Sequence, residues 1–145
     1  MENWIYQGNP VIEIDDSITG FIYVITNNID GRKYFGKKQS KFKKTSIKTV
    51  TLKNGTKKKK KIRTLIDSDW MTYFGSSEEL KKDVETLGVV NFSREILQFC
   101  YSLTELSYYE AKIQFVTDCL LHPDKYYNSW VSVRTRRDHL LKTVK

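Results

Sequence analysis

The chain is 145 residues long, 39% hydrophobic and 13% aromatic, with a formal net charge of +8. That length fits one domain with a real core, and that apolar content excludes a disordered chain. No apolar run nears the roughly 18 residues of a membrane span, and the start Met1-Glu2-Asn3-Trp4 lacks a basic-then-apolar leader. A soluble, cytoplasmic protein with no membrane partner is expected. Cys100 and Cys119 are the only cysteines and show neither CxxC nor CxxH spacing. They read as small buried hydrophobes rather than as a disulfide or a zinc site.

The first twenty residues set Trp4, Ile5 and Tyr6, then Val11, Ile12 and Ile14, around Gly8-Asn9-Pro10. This is a pattern for two short extended pieces about a turn. Asp15 and Asp16 are adjacent carboxylates, but neighbours on a strand point to opposite faces and no third ligand is near, so they read as turn residues. The organising stretch is Gly20 to Lys38. Phe21 to Thr26 and Lys33 to Gly36 flank a cluster of Asn, Asp and Gly, which predicts a β-hairpin with positive φ near Asp30-Gly31.

From Arg32 to Arg63 the chain carries 15 of its 25 Lys and Arg residues and no Asp or Glu. A field of one sign over that length is a footprint for a polyanion, and a nucleic-acid backbone is the commonest one in a cell. A loop serving solubility alone would be served equally by mixed charges. Lys37 and Lys38 sit at the mouth of the hairpin. Asn54-Gly55 then separates two arms, one with Lys44 and the other with Lys57, Lys58, Lys59, Lys60 and Lys61, which predicts a projecting basic β-ribbon or loop. Such a ribbon can run along a groove of duplex DNA.

Asp67 to Tyr73 predicts a short helix with Trp70 and Tyr73 at i and i+3. Ser76 with Glu79 is a capping box for a second helix, with Leu80, Val84 and Leu87 on one face and Gly88 as the stop. Phe92 to Cys100 reads as a central strand covered on both faces. A long helix from about Leu103 to Leu121 follows, capped by Ser102 with Glu105, its buried stripe being Leu106, Tyr109, Ile113, Val116 and Leu120. Glu110 adjoins that stripe and needs a partner. Helix geometry favours a salt bridge over a divalent cation. Asp124 to Trp130 reads as an ordered loop, and Arg134, Arg136, Arg137, Lys142 and Lys145 make a basic tail that forms a short helix or frays.

Phe21-Ile22-Tyr23 and Tyr34-Phe35-Gly36 resemble the two halves of the GIY-YIG nuclease signature, with Phe21 in place of the first Gly and Phe35 in place of Ile or Val. The segment from Ser76-Ser77 through Asn128 is similar to the remainder of that core. Gly36-Lys37-Lys38-Gln39, Tyr73-Phe74-Gly75-Ser76-Ser77 and Ser107-Tyr108-Tyr109-Glu110-Ala111-Lys112 look closest to free-standing phage endonucleases of the Seg-like, homing type. The resemblance implies one nuclease domain over 1–145, with an extension over 1–19, a basic insertion over 37–66 and a basic tail over 131–145. It implies an α+β fold, a small antiparallel sheet of about three strands flanked by helices, acting in the host cytoplasm if phage-encoded.

By the same resemblance, Tyr23 and Tyr34 are the signature tyrosines, Glu110 is the metal-binding glutamate and Asn128 is the late asparagine of the site. The cofactor implied is Mg²⁺ or Mn²⁺, which one carboxylate can hold while the ion keeps most of its waters. A tyrosine hydroxyl can relay a proton from an attacking water, although packing in the core is the alternative for either tyrosine. The family's arginine falls where the basic insertion interrupts the pattern. Arg63 is preferred for it because a planar fork suits phosphate, with Lys44, Lys37 and Lys38 as the other cations in reach of that place. A DNA endonuclease acting on double-stranded DNA, alone or as a homo-oligomer, is the leading reading. A non-catalytic DNA-binding module on the same scaffold is the second, and an RNA-binding protein, which lacks an RRM-type stacking motif, is the third.

Overall fold

The computed structural model describes residues 3–143; Met1, Glu2, Val144 and the tail's Lys145 lie outside the described residues. The strands are β1 (Trp4–Tyr6), β2 (Asn9–Val11), β3 (Gly20–Asn27), β4 (Lys33–Gln39), β5 (Lys41–Thr51), β6 (Lys57–Asp67) and β7 (Phe92–Cys100). The helices are α1 (Glu78–Leu87), α2 (Leu103–Val116) and the short α3 (Arg137–Leu140). One sheet runs in the order β2-β1-β7-β3-β4, and β5 pairs with β6 in a separate ribbon. The antiparallel set β7-β3-β4 is the small sheet read from sequence, in an α+β fold. It is extended by β1, which joins β7 in parallel through Ile5↔Glu95 and Tyr6↔Ile96, and by β2 at the edge.

Strand alternation divides the core into two layers. Phe21, Tyr23 and Ile25 of β3 pack with Trp4, Trp70, Leu80 and Ile96 on the face covered by α1. Ile22 packs with Cys100 and Leu106, and Val24 with Phe35 and Cys119, on the face covered by α2. Burying each large apolar side chain contributes about 1.5–3 kcal/mol, so β3, filled on both faces, is the strand on which the fold depends most. At the hairpin turn Gly31 takes φ 81°, as its Asp-Gly context predicts. Arg32 then ties the turn to α1, its guanidinium 2.6 Å from Glu79 and 4.0 Å over the Tyr127 ring.

Arg94, on β7, faces the first core layer and is 4% exposed. Its Nη1 donates to the carbonyls of Met71 and Tyr73, each at 2.9 Å, and its guanidinium lies over the rings of Trp4 and Phe74. Burial pushes its pKa down to about 10, which still leaves it charged at neutral pH. It anchors the loop around the 3₁₀ turn Trp70–Thr72, where the sequence predicts a short helix.

Three boundaries differ from the sequence reading. α1 is capped by Ser77, whose hydroxyl accepts from the Leu80 amide at 3.2 Å, rather than by Ser76. α2 stops at Val116, because Thr117 turns its hydroxyl back to the Ile113 carbonyl and Asp118 adopts a left-handed φ of 53°. Val116 and Leu120, expected in the buried stripe, are therefore exposed, and Ala111 and Gln114 take the interior. β7 is covered on both faces only toward Cys100; Ser93, Glu95 and Leu97 are exposed, with a bulge opposite Ile22/Tyr23.

The ribbon β5–β6 pairs from Lys41↔Asp67 to Thr51↔Lys57, and its turn places Gly55 at φ 86°. The Asn54 side chain accepts from the Thr56 amide at 2.9 Å, the local bond that makes Asn-Gly a turn signal. No helix among the described residues is long and apolar enough to cross a membrane.

Candidate active site

The site forms at the β4 edge, where the strand has no sheet partner on its far side and α2 lies beneath. β3 and β4 pair directly at Tyr23↔Gly36 and Ile25↔Tyr34, so Tyr23 and Tyr34 share the α1 face of the sheet. Their ring centroids are 6.2 Å apart. Gly36 carries no side chain, and the Tyr23 ring leans across it: a Cβ at position 36 would lie 2.5 Å from the Tyr23 hydroxyl. Lys37 and Phe35 point to the opposite face, toward α2.

A cleft of about 580 Å³ opens here, with Tyr34, Lys37, Ser76, Glu110, Gln114 and Asn128 among its walls. Tyr34 reaches it from β4, with its hydroxyl 2.7 Å from the Ser76 hydroxyl. Ser76 is available for that bond because Ser77 caps α1. Gly75, at φ 85°, makes the turn just before it and packs against the Tyr34 ring. Tyr23 is 1% exposed and is not one of the cleft's walls; its ring packs edge-on against Tyr73, centroids 5.9 Å apart, the residue whose carbonyl accepts from Arg94.

Electrostatics separates these groups. Burial raises the pKa of Tyr23 well above the ordinary phenol value, and the neighbouring Tyr73, Tyr34 and Glu110 push the same way. Burial also raises Tyr34, against the Ser76 bond. Both are therefore neutral phenols at physiological pH. Glu110, its side chain 17% exposed, is raised by burial and partly held down by Lys37, whose Nζ is 4.0 Å from its Oε1. Lys37 also donates to the Ser107 hydroxyl at 3.0 Å. A carboxylate with a raised folded-state pKa costs stability as pH rises through that value.

Asn128 is 7% exposed, and both ends of its amide engage Phe35: Oδ1 accepts from the Phe35 amide at 3.0 Å and Nδ2 donates to the Phe35 carbonyl at 2.8 Å. With Lys33 N–H to Lys125 O at 2.9 Å and Tyr127 N–H to Lys33 O at 2.8 Å, the loop is laced onto the β4 edge. Asn128 is thus a positioning residue. Asn128→Ala strands the Phe35 amide, at about 1–3 kcal/mol for an unpaired buried group, while the Phe35 carbonyl keeps its bond from Gln114 Nε2 at 3.2 Å, and is expected to lower the urea midpoint clearly. An unchanged midpoint would show that the clamp carries no stability.

The remaining candidates lie elsewhere. Arg63 and Lys44 are exposed on the ribbon, on opposite faces, opposite Thr45 and Thr64, and neither is among the cleft walls. The cation beside Glu110 is Lys37. Lys38 points the other way, 4.2 Å over the Tyr73 ring and 2.5 Å from Asp69. Lys57, Lys58, Lys59, Lys60 and Lys61 line one ribbon strand and are all exposed. Neither Tyr73 nor Gln114 is marked as a site residue by the sequence. The i, i+4 spacing of Gln114 from Glu110 was the available signal for the second.

Residues 4–131 match the family model described as "Putative endonuclease segE, GIY-YIG domain". The chain belongs to the GIY-YIG endonuclease family. No curated protein and no solved structure matched it.

Proposed function

We propose that the chain is a divalent-metal-dependent DNA endonuclease that hydrolyses phosphodiester bonds in double-stranded DNA, in a phage homing or DNA-degrading role. The observation that carries this reading is Glu110, a largely buried carboxylate in a cleft it shares with Tyr34 and Lys37.

The residues fit a Mg²⁺ or Mn²⁺ ion. Among the described residues no group of three or more His, Cys, Asp and Glu could cage a metal. An ion that keeps most of its waters needs only one carboxylate and neighbouring oxygens that accept from those waters. Gln114, one turn from Glu110, supplies such an oxygen: it is 6% exposed, its Nε2 donates to Phe35 O at 3.2 Å, and its Oε1 has no partner among the described residues. Glu110 would hold the ion and Gln114 would face its water shell. When bound, the ion supplies Lewis-acid polarisation of a phosphate oxygen.

The protein's own groups do the rest. Tyr34, a neutral phenol at the cleft wall, orients the attacking water or the phosphate through its hydroxyl. Tyr23 acts behind it, its ring packed against those of Tyr34 and Tyr73, and its hydroxyl offers a relay for the proton. The Lys37 ammonium offsets the charge that gathers on the phosphate oxygens as the bond to phosphorus forms and the leaving oxygen departs. Asn128 keeps the edge of β4 in place beneath them.

Gln114→Leu is expected to raise the Mg²⁺ concentration for half-maximal cutting by roughly ten-fold, with a parallel loss of calorimetric Mn²⁺ affinity. Unchanged metal dependence would reduce Gln114 to a support for Phe35. The function itself is tested by incubating supercoiled plasmid with the wild-type protein in Mg²⁺, Mn²⁺ or EDTA. Nicked or linear product with metal and none with EDTA is expected. Binding without cutting, across divalent ions and DNA forms, would make the chain a DNA-binding module on a nuclease scaffold.

A further inference from the structure

The β5–β6 ribbon is the largest feature that the cleft does not use. Its base is fixed. Ser40, fully buried, donates its amide to Thr19 O at 2.9 Å and accepts from the Ser68 amide at 2.9 Å. The Ser68 hydroxyl donates to Gln39 O at 2.6 Å, and Lys41 is clamped between Asp67 at 2.5 Å and Asp16 at 3.3 Å. Because β4 leads into this clamp directly, the ribbon leaves the body at Lys41, four residues past Lys37, in a direction set by the strand that carries the cleft.

Beyond the clamp, cations occupy both faces. Register places Lys43, Lys57, Lys59, Lys61 and Arg63 on one face. It places Lys44, Lys48, Lys58 and Lys60 on the other, with Lys48 and Lys60 directly opposite each other. Like charges facing across a strand pair destabilise it, and among the described residues none of these cations has a carboxylate partner. An arm that lay flat against an acidic surface would need one cationic face. A groove with a phosphate rail on each side presents anions to both. The major groove is about 12 Å wide and admits a two-stranded ribbon, whereas the minor groove, at about 6 Å, does not.

We infer that the ribbon is a one-sided arm that lies in the major groove of duplex DNA and holds the strand to be cut against the Glu110 cleft. This rests on the DNA reading above and adds where the protein grips. From Lys37 to the turn at Asn54 the chain can extend about 56 Å at roughly 3.3 Å per residue, which spans about 16 base pairs at 3.4 Å each. Contacts therefore reach at most that far, and to one side of the cut.

The test is dimethyl sulfate protection of a 60-base-pair duplex by the wild-type protein in EDTA, repeated with the triple variant Lys48→Gln, Lys58→Gln, Lys60→Gln. Neutralising these exposed lysines relieves the Lys48–Lys60 repulsion, so the variant keeps its fold. Protected guanine N7 atoms in one stretch of no more than about 16 base pairs, lying to one side of the cut where the protein cuts, are expected. In the variant that protection disappears, and the slope of log affinity against log salt falls by about 2.7. Loss of N7 protection together with the slope change supports the arm even if the protein cuts nothing, so the two readings fail separately. Protection at adenine N3 alone, protection on both sides of the cut, an unchanged slope, or equal affinity for an RNA duplex, whose major groove is too narrow, would overturn it.

Discussion

Gly36→Ala is expected to lower stability by about 1–3 kcal/mol and to reduce cleavage by about a hundred-fold. Backbone freedom is not the reason, since Gly36 sits in a regular strand position. The reason is space: the new Cβ would lie 2.5 Å from the Tyr23 hydroxyl and 2.6 Å from its Cζ. Tyr23 cannot retreat, because Trp4 at 5.2 Å and Tyr73 at 5.9 Å hem its ring in a core that leaves it 1% exposed. Either the ring tilts into its neighbours or β4 moves outward, carrying Tyr34 and Lys37 away from Glu110. Chemical denaturation and plasmid nicking read the two effects separately. Adding Tyr23→Leu to Gly36→Ala is expected to recover stability without recovering cleavage, because the clash goes and the hydroxyl goes with it. Recovery of both, or wild-type behaviour of the single variant, would show that the Tyr23–Gly36 contact does not organise the site.

The second large effect belongs to Glu110. Its burial raises its pKa, so at neutral pH the folded protein holds a carboxylate it would hold more easily protonated. Removing that charge is expected to leave the unfolding temperature unchanged or slightly higher, since the cost present above the raised pKa disappears. It also leaves the ribbon untouched, so DNA affinity stays. Cleavage alone is expected to fall, by about a thousand-fold or more, the size that follows from the proposal that Glu110 holds the metal.

How much of this could be read from the chain follows from the range of each interaction. The hairpin and the ribbon are local, and Asp30-Gly31 and Asn54-Gly55 announce both turns because left-handed backbone favours glycine. Serine caps announce α1 and α2, but Ser76 and Ser77 are alike in sequence, and the tertiary bond of Ser76 to Tyr34 decides which one caps. The end of α2 is set by the left-handed Asp118, which no hydrophobic period reveals. β1 joins the sheet by a parallel pairing with a strand some ninety residues away, and such pairing leaves no local mark.

The site divides in the same way. Tyr23, Tyr34, Glu110 and Asn128 are visible through the resemblance, and the structure brings Tyr34, Glu110 and Asn128 to one cleft with Tyr23 behind them. Its cation was not legible, because the basic insertion offers many lysines and counting along it cannot tell that, among the described residues, it is Lys37 that sits beside Glu110. Arg94 was also hidden: an arginine on a strand reads as solvent-facing, yet it is buried beneath the loop that delivers Tyr73.

One measurement bears most directly on the account: cleavage of supercoiled plasmid in Mg²⁺ by wild-type protein and by Glu110→Ala, with DNA affinity measured on the same preparations. Cutting by the wild type that EDTA abolishes, no cutting by the variant, and equal affinity of the two would establish a metal-dependent nuclease centred on Glu110. A variant that still cuts, or a wild type that cuts equally well in EDTA, would contradict it.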